Sequence, residues 1–212
     1  MYTIIPLNYQ ILYAFVLATA TLAIAPGPDN IFVLTQSMVN GKKKGLATVA
    51  GLMTGCLIHT TLLAFGVSVL IKENETIFQF IKLFGAGYLL YLAYQVFRSP
   101  SEIQLNAQGI EDKSLLQLFK QGFIMNVLNP KVTIFFLAFF PGFLFSDALS
   151  TVIQFYVLGF IFIAVSFLIF GTIAVLSGFL GKYLKESRKL GLLLKWLQIF
   201  VFVAIAIYLV FF

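Results

Sequence analysis

The sequence predicts an all-α membrane protein with six transmembrane helices. Of its 212 residues, 60% are hydrophobic and only 10% are charged, whereas a soluble domain carries roughly a quarter charged residues. Six runs contain no Asp, Glu, Lys or Arg: residues 1–28, 45–71, 83–97, 132–146, 148–181 and 196–212. Most of these runs approach or exceed the ~20 residues that a helix needs to cross a bilayer. We therefore assign one span to each run.

The basic residues between these runs predict the orientation in the membrane. With six spans, one side carries eleven of them, namely Lys42, Lys43, Lys44, Arg98, Lys113, Lys120, Lys182, Lys185, Arg188, Lys189 and Lys195. Lys72 and Lys82 fall on the other side, and Lys131 lies near the end of a span. Because cytoplasmic loops are enriched in Lys and Arg, we expect three basic cytoplasmic loops and both termini outside. The net charge of +6 thus reflects basic loops that orient the chain in the membrane, and no nucleic-acid partner is expected.

The first half of the chain holds three spans. Span 1 extends from about residue 9 to 25, breaks at residues 26–28 and resumes to about residue 40, while spans 2 and 3 cover about 46–71 and 76–97. The first 25 residues lack the basic start of a signal peptide, so span 1 is expected to remain uncleaved. The polar segment 98–114 contains Pro and Gly with mixed charge. It predicts a flexible cytoplasmic linker.

The second half repeats the order of the first. Span 4 starts near residue 115, breaks at residues 126–131 and continues to about 145; spans 5 and 6 lie within 148–181 and 192–212. Each half thus begins with a span that proline breaks beside Asn or Asp. This order predicts two three-helix repeats, 1–97 and 115–212, joined by the linker 98–114. Since three spans is an odd number, the repeats are expected to be inverted in the membrane.

The first break, Ala25-Pro-Gly-Pro-Asp-Asn30, is expected to line a polar path. Pro26 and Pro28 lack backbone donors, so carbonyl groups near them need partners from protein or water. The carboxylate of Asp29 costs a few kcal/mol in hydrocarbon unless it faces a cavity or a partner. Gly27 and Asn30 belong to the same path. The alternative is a proline kink in which Asp29 only caps the half-helix that Pro28 starts.

The second break, Asn126-Val-Leu-Asn129-Pro130-Lys131, is predicted to line the same cavity. Broken spans at matching positions of inverted repeats indicate a transport site near the midplane. Asn126 and Asn129 offer amide donors and acceptors to a zwitterion. Lys131 binds a substrate carboxylate, pairs with Asp29, or extends its ammonium to the interface. Asp29 itself is expected to hold a substrate ammonium or the coupling proton.

His59 is the single histidine and lies in the middle of span 2. One interpretation is a neutral imidazole that is hydrogen-bonded to a carbonyl. The other is a proton relay, because histidine titrates near physiological pH. The sequence leaves both open.

Taken together, four motifs resemble the LysE/RhtB family of amino-acid exporters over nearly the whole chain. They are Pro26-Gly27-Pro28-Asp29, the Gly41-x-x-x-Gly45 turn, Gly51-x-x-x-Gly55 with His59, and Gly122-Phe123 leading to Asn129-Pro130-Lys131. The resemblance implies a bacterial inner-membrane exporter of amino acids or small derivatives that is driven by the proton gradient. The sequence is more similar to the RhtB branch, which implies neutral, homoserine- or threonine-like substrates. Asp29 as the single acid within a span agrees with a neutral substrate.

Other functions lack their expected residues. A metal or inorganic ion transporter would carry His- or Cys-rich loops, and a thiol relay would need paired cysteines, whereas Cys56 stands alone. No nucleophile, base and orienting group can be assembled at membrane depth, so neither an enzyme nor a cofactor is expected. A scaffold without transport activity remains an alternative, although it has no use for Asp29 between the prolines.

The predicted orientation can be tested by labelling cysteines from outside the cell. In a Cys56→Ala background, an impermeant maleimide should miss Lys43→Cys, Gln108→Cys and Lys185→Cys, because these positions lie in the three basic loops. Glu73→Cys in the short outer turn is the positive control. Labelling of any basic loop in intact cells would contradict the span count.

Overall fold

The computed structural model describes residues 7–25, 27–67, 75–100, 111–179 and 188–211, and all of their regular structure is helical. The helices are α1 (Tyr9–Ile24), α2 (Pro28–Asn40), α3 (Lys42–Leu62), α4 (Glu75–Arg98), α5 (Leu115–Val127), α6 (Pro130–Ile134), α7 (Thr151–Val175) and α8 (Arg188–Phe211). Wide π-helical turns extend α3 through Leu63–Val67 and α6 through Phe135–Phe139, and a 3₁₀ turn, Phe140–Phe143, follows the latter. The predicted all-α fold is confirmed.

The helix lengths agree with a multi-pass membrane protein. Within the described residues, four helical segments are long and apolar enough to span a membrane: Lys42–Gly66, Thr76–Arg98, Thr151–Val175 and Gly191–Phe211. Two further pairs pass the same test together, α1 with α2 at a bend of 60° and α5 with the segment Pro130–Phe143 at a bend of 50°. If each bent pair is one span, the total is the predicted six. The inverted relation of the two halves stays a prediction.

The turn between α2 and α3 is shorter than the sequence suggested. Gly41 has a φ of 87°, a conformation that glycine adopts without the steric penalty of other residues. It therefore reverses the chain within a single residue, and Lys42 to Lys44 form the first turn of α3. Helix α8 likewise already includes Arg188, several residues before the expected start of span 6.

Glycines bring α3 and α5 into backbone contact. A Cβ atom at Gly51 would overlap the carbonyl oxygen of Phe119 and lie 2.8 Å from the Phe123 nitrogen. A Cβ atom at Gly122 would overlap the carbonyl oxygen of Thr48. Such close approach through small residues is a common way to pack membrane helices. The order of these contacts makes α3 and α5 parallel.

Polar contacts place the basic segments at one end of the bundle. The Lys195 ammonium donates to the carbonyl oxygens of Phe97 and Ser99, at 2.8 and 2.7 Å, so the start of α8 meets the end of α4. At the start of α3, Lys44 forms an ion pair with Asp112 just before α5. We call this end, with Lys42–Lys44, Arg98, Lys113 and Lys195, the basic end. The predicted segments 68–74, 101–110 and 180–187 lie outside the described residues.

The buried hydrophobic side chains that the structure describes form two clusters. The aromatic cluster includes Phe15, Phe136, Phe140 and Phe162, and its ring centroids lie 4.1 to 5.0 Å apart in the pairs 136–140, 15–140 and 136–162. Each such aromatic pair adds about 0.5–1.5 kcal/mol beyond the burial of its area. The basic-end cluster contains Ala23, Val33, Val49, Leu52, Met53, Phe170 and Ala174. The described part of the chain therefore packs around two apolar clusters, and the smaller one adjoins the start of α3, where a Cβ atom at Gly45 would lie 3.3 Å from Ala174.

We expect Gly51→Ala to destabilise the protein although alanine is the better helix former. The added methyl group has to displace the backbone of α5, and overpacking of this kind costs about 1–3 kcal/mol. Gly87→Ala is the matched control, because a Cβ atom at Gly87 meets nothing within 4 Å. Thermal unfolding in detergent should show a lower midpoint for Gly51→Ala only. Equal midpoints for the two variants would contradict the close α3–α5 packing.

Candidate functional site

A side-chain hydrogen bond bridges the first helix break. The Asn30 amide nitrogen donates to the Ala23 carbonyl oxygen at 2.8 Å, across the gap between α1 and α2. In a continuous helix this carbonyl would accept from the backbone of residue 27. Pro28 is the first residue of α2, as predicted, and Gly27 is its N-cap. Pro26 lies outside the described residues.

Asp29 points to the second break. It lies in the first turn of α2 with only 8% of its surface exposed, and its Oδ2 accepts a hydrogen bond of 2.7 Å from the Asn129 amide, 100 residues away. No side chain of the described residues caps the N-terminus of α2. The carboxylate thus joins the two breaks instead of capping its own helix.

Asn129 has two functions in the second break. Its Oδ1 accepts from the backbone nitrogen of Lys131 at 3.0 Å, which makes it the N-cap of α6, while its Nδ2 holds Asp29. Pro130 follows as the first residue of α6, where a missing N–H costs nothing. One side-chain amide therefore shapes the break and partners the buried carboxylate.

Asn126 contacts the backbone of Asn129, and His59 contacts Asn126. The Asn126 carbonyl oxygen accepts from the Asn129 backbone nitrogen at 3.0 Å and contacts His59 Nε2 at 3.1 Å. Because a carbonyl can only accept, His59 Nε2 carries a proton. The side-chain Oδ1 of Asn126 is buried without a hydrogen-bond partner. A Cβ atom at Gly55 would lie 2.7 Å from this oxygen, so only glycine leaves room for it.

A cavity of about 50 Å³ lies where the two breaks meet, which is room for a few water molecules. It is lined by Leu22, Ala23, Gly27, Pro28, Asp29, Asn30, Leu52, Met53, Cys56, Asn126, Asn129, Lys131, Val132, Phe162, Ser166 and Phe170. Seven residues that sequence reasoning singled out are among them. His59 and Pro130 do not line the cavity, although His59 contacts Asn126, which does.

Lys131 brings the opposite charge to the same cavity. Its ammonium lies 5.3 Å from the ring centroid of Phe202 and faces the backbone of Gly27. It lies beyond ion-pair distance from Asp29. A carboxylate and an ammonium thus line one cavity without neutralising each other by direct contact.

Sequence reasoning missed Ser166. Its side chain is 2% exposed, its hydroxyl has no partner, and it lines the cavity between Phe162 and Phe170 on α7. The surrounding run, residues 148–181, contains no charge or break that would single out one position. The sequence feature that could have indicated Ser166 is a single hydroxyl with a phenylalanine four residues before it and another four residues after it.

The described residues contain no group of three or more His, Cys, Asp or Glu side chains that could share a metal ion. Cys56 is buried and lines the cavity. The polar groups of the cavity are therefore one carboxylate, one ammonium, amides, a thiol and a hydroxyl.

Substitutions of Asn129 can separate its two functions. Asn129→Ser and Asn129→Asp both keep a good N-cap, but both remove the amide donor to Asp29. Loss of a hydrogen bond to a charged group costs about 1.5–3 kcal/mol, and Asn129→Asp adds a like charge beside Asp29. We expect unfolding midpoints in detergent to fall in the order wild type, Asn129→Ser, Asn129→Asp.

Asn8 provides the matched control for this series. It caps α1 by accepting from the backbone nitrogens of Gln10 and Ile11, without an acidic partner. Asn8→Ser and Asn8→Asp should therefore change the midpoint little. If the two series behave alike, the bond from Asn129 to Asp29 does not stabilise the junction of the breaks.

Comparison with known proteins agrees with this architecture. The model of the family described as LysE type translocator matches residues 20–211. Homoserine/homoserine lactone efflux proteins of Salmonella typhimurium and Salmonella typhi are each 29% identical over 189 residues, which is 89% of this chain and 91% of theirs. No solved structure matches the chain significantly. The match over nearly all of the spans shows that the chain belongs to the LysE type translocator family.

Proposed function

We propose that this protein is a secondary active exporter of small neutral amino acids or their derivatives, with homoserine-like compounds favoured. The observation that carries the proposal is the meeting of Asp29, Asn126, Asn129 and Lys131 around one cavity. A carboxylate and an ammonium held apart in a buried site complement a zwitterion. The efflux activity in the names of the two Salmonella relatives supports the same class of substrate and the outward direction.

The ammonium of the substrate would bind at the acceptor side of the cavity. Asp29 supplies a carboxylate, of which Oδ2 accepts from Asn129. The unpartnered Oδ1 of Asn126 supplies a second acceptor. A buried acceptor without a donor costs free energy. A substrate ammonium that donates to Asp29 and to Asn126 Oδ1 would therefore bind favourably to both.

The carboxylate of the substrate would bind at the donor side. Lys131 supplies the ammonium, and the N-terminus of α2, which no described side chain caps, supplies backbone donors and the positive end of the helix dipole. Among the described residues that line the cavity, Asp29 is the only acidic one. A dibasic substrate would need further acids, so the charge balance favours a neutral one.

Proton antiport would use Asp29 as the exchanging group. The carboxylate is ionised when it holds the substrate ammonium and takes a proton when the substrate leaves. Substrate and proton then compete for one residue, which couples their movements in opposite directions.

Alternating access would use the two apolar clusters as gates. Leu22, Cys56, Val132 and Phe162 reach the cavity from the aromatic cluster, and Ala23, Leu52, Met53 and Phe170 reach it from the basic-end cluster. Separation of one cluster at a time would expose the site to one side of the membrane and widen the cavity for an amino acid. Two inverted repeats, 1–97 and 115–212, joined by the linker 98–114, would supply this motion.

The proposed location is the bacterial inner membrane with both termini outside. The basic end would face the cytoplasm, since positive residues accumulate there. The α2–α3 turn and the beginnings of α5 and α8 would then be cytoplasmic.

Reconstitution into proteoliposomes tests the proposed function. Vesicles are loaded with one amino acid each, and a pH gradient is imposed while solute and proton movements are followed. We expect homoserine to move against the direction of the protons. Absence of movement for every neutral amino acid would refute the proposal.

Asp29→Asn tests the coupling role in the same assay. The new side chain keeps an oxygen acceptor for Asn129, so folding and membrane abundance should survive. The lost charge should weaken ammonium binding about tenfold or more and abolish the coupling to protons, while Asp29→Glu should retain a fraction.

Asp147→Asn is the matched control, because Asp147 is exposed and does not line the cavity. It should export like the wild type. If Asp29→Asn also exports normally with its pH dependence intact, Asp29 is not the coupling group.

A further inference from the structure

We propose that Ser166 determines specificity by binding an oxygen atom on the side chain of the substrate. This inference rests on the proposed function, because it concerns the end of the substrate that Asp29 and Lys131 do not hold. Ser166 would thereby favour substrates whose short side chain carries a hydroxyl or a similar oxygen over substrates with an apolar side chain of the same length.

The first support is the unusual state of the Ser166 hydroxyl. Nine other described hydroxyls in helices donate to the carbonyl oxygen four residues earlier, namely those of Thr21, Thr35, Ser37, Thr48, Thr54, Thr60, Thr61, Thr133 and Thr172. This local bond is the ordinary way to satisfy a hydroxyl inside a membrane helix. Ser166 Oγ has no partner although the residue is only 2% exposed. Its hydroxyl is thus left for a group that enters the cavity.

The second support is the surroundings of Ser166. Helix α7 contributes Phe162, Ser166 and Phe170 to the cavity, at a spacing of four residues that places them on one face. The two phenylalanines belong to different apolar clusters. Ser166 therefore presents a single polar group on an otherwise apolar wall, at the junction of the two clusters.

The third support is that different elements supply different groups to the cavity. The charged and amide groups come from the two breaks, on α2 and between α5 and α6, whereas α7 is an unbroken helix. A zwitterion bound by the breaks would direct its side chain to the remaining wall. A hydroxyl there can donate to or accept from an oxygen on that side chain. A site that hydrogen-bonds a substrate hydroxyl discriminates against the analogue that lacks it.

The test compares homoserine with 2-aminobutyrate, which differs from it by the hydroxyl group alone. Both are measured in proteoliposomes of the full chain under the same pH gradient. We expect the wild type to export homoserine faster, and Ser166→Ala to lower the homoserine/2-aminobutyrate ratio about five- to tenfold, the worth of one hydrogen bond. Export of 2-aminobutyrate should not fall in this variant.

Thr19→Val is the matched control. Thr19 Oγ1 is also buried without a partner, but Thr19 does not line the cavity. Its removal should leave the ratio unchanged. Neither variant should lower the unfolding midpoint through the lost hydroxyl, because neither hydroxyl has a partner to lose.

The outcomes separate this inference from the function on which it rests. If the wild type exports homoserine and Ser166→Ala keeps the wild-type ratio, the specificity role is wrong and the exporter stands. If Thr19→Val lowers the ratio as much as Ser166→Ala, the effect does not arise at the cavity and the inference fails. If the wild type moves neither compound, both the inference and the proposed function fall.

Discussion

The hydrogen bond between Asn129 and Asp29 is the interaction on which the rest of the structure depends. It joins the two places where membrane helices are interrupted, and each partner would be costly without the other. A carboxylate inside a bilayer needs a donor or a cavity, and an interrupted helix needs a cap. The Asn129 amide satisfies both needs, with its oxygen on the backbone of Lys131 and its nitrogen on Asp29. The two halves of the chain are thereby joined at their helix breaks.

The polar junction is surrounded by apolar side chains. The aromatic cluster and the basic-end cluster both contribute lining residues to the cavity. The glycines of α3 and α5 allow this, since Gly51 and Gly122 bring the two backbones together and Gly55 leaves room for the Asn126 side chain. The close contact of α3 with α5 and the burial of the Asn126 amide therefore depend on the same helix interface. A bulkier residue at Gly55 would displace the Asn126 side chain, which lines the cavity.

The sequence predicted the spans and the breaks because the bilayer acts on both directly. Charge-free runs mark the spans, and proline beside Asp29 or Asn129 marks the places where a helix cannot continue. The partners of these side chains could not be predicted, because Asn129 and Asp29 are 100 residues apart and their contact depends on the relative position of whole helices. The same holds for His59, whose partner is a backbone carbonyl of α5. Ser166 escaped notice because an isolated serine in an apolar helix ordinarily bonds to its own backbone.

The hydrogen bonds sort the polar groups of the cavity into two kinds. Asn30, Asn129 and one oxygen of Asp29 are engaged within the protein, and they hold the breaks in shape. The Asn126 Oδ1 and the Ser166 hydroxyl are buried without partners, and each costs free energy that a folded protein ordinarily avoids. A chain that satisfies nearly every other buried hydroxyl locally gains nothing for its stability by leaving these two unpaired. Under the proposed function, a polar substrate that enters the cavity would offset this cost, so the unpaired groups bear on its recognition as much as the charged ones do.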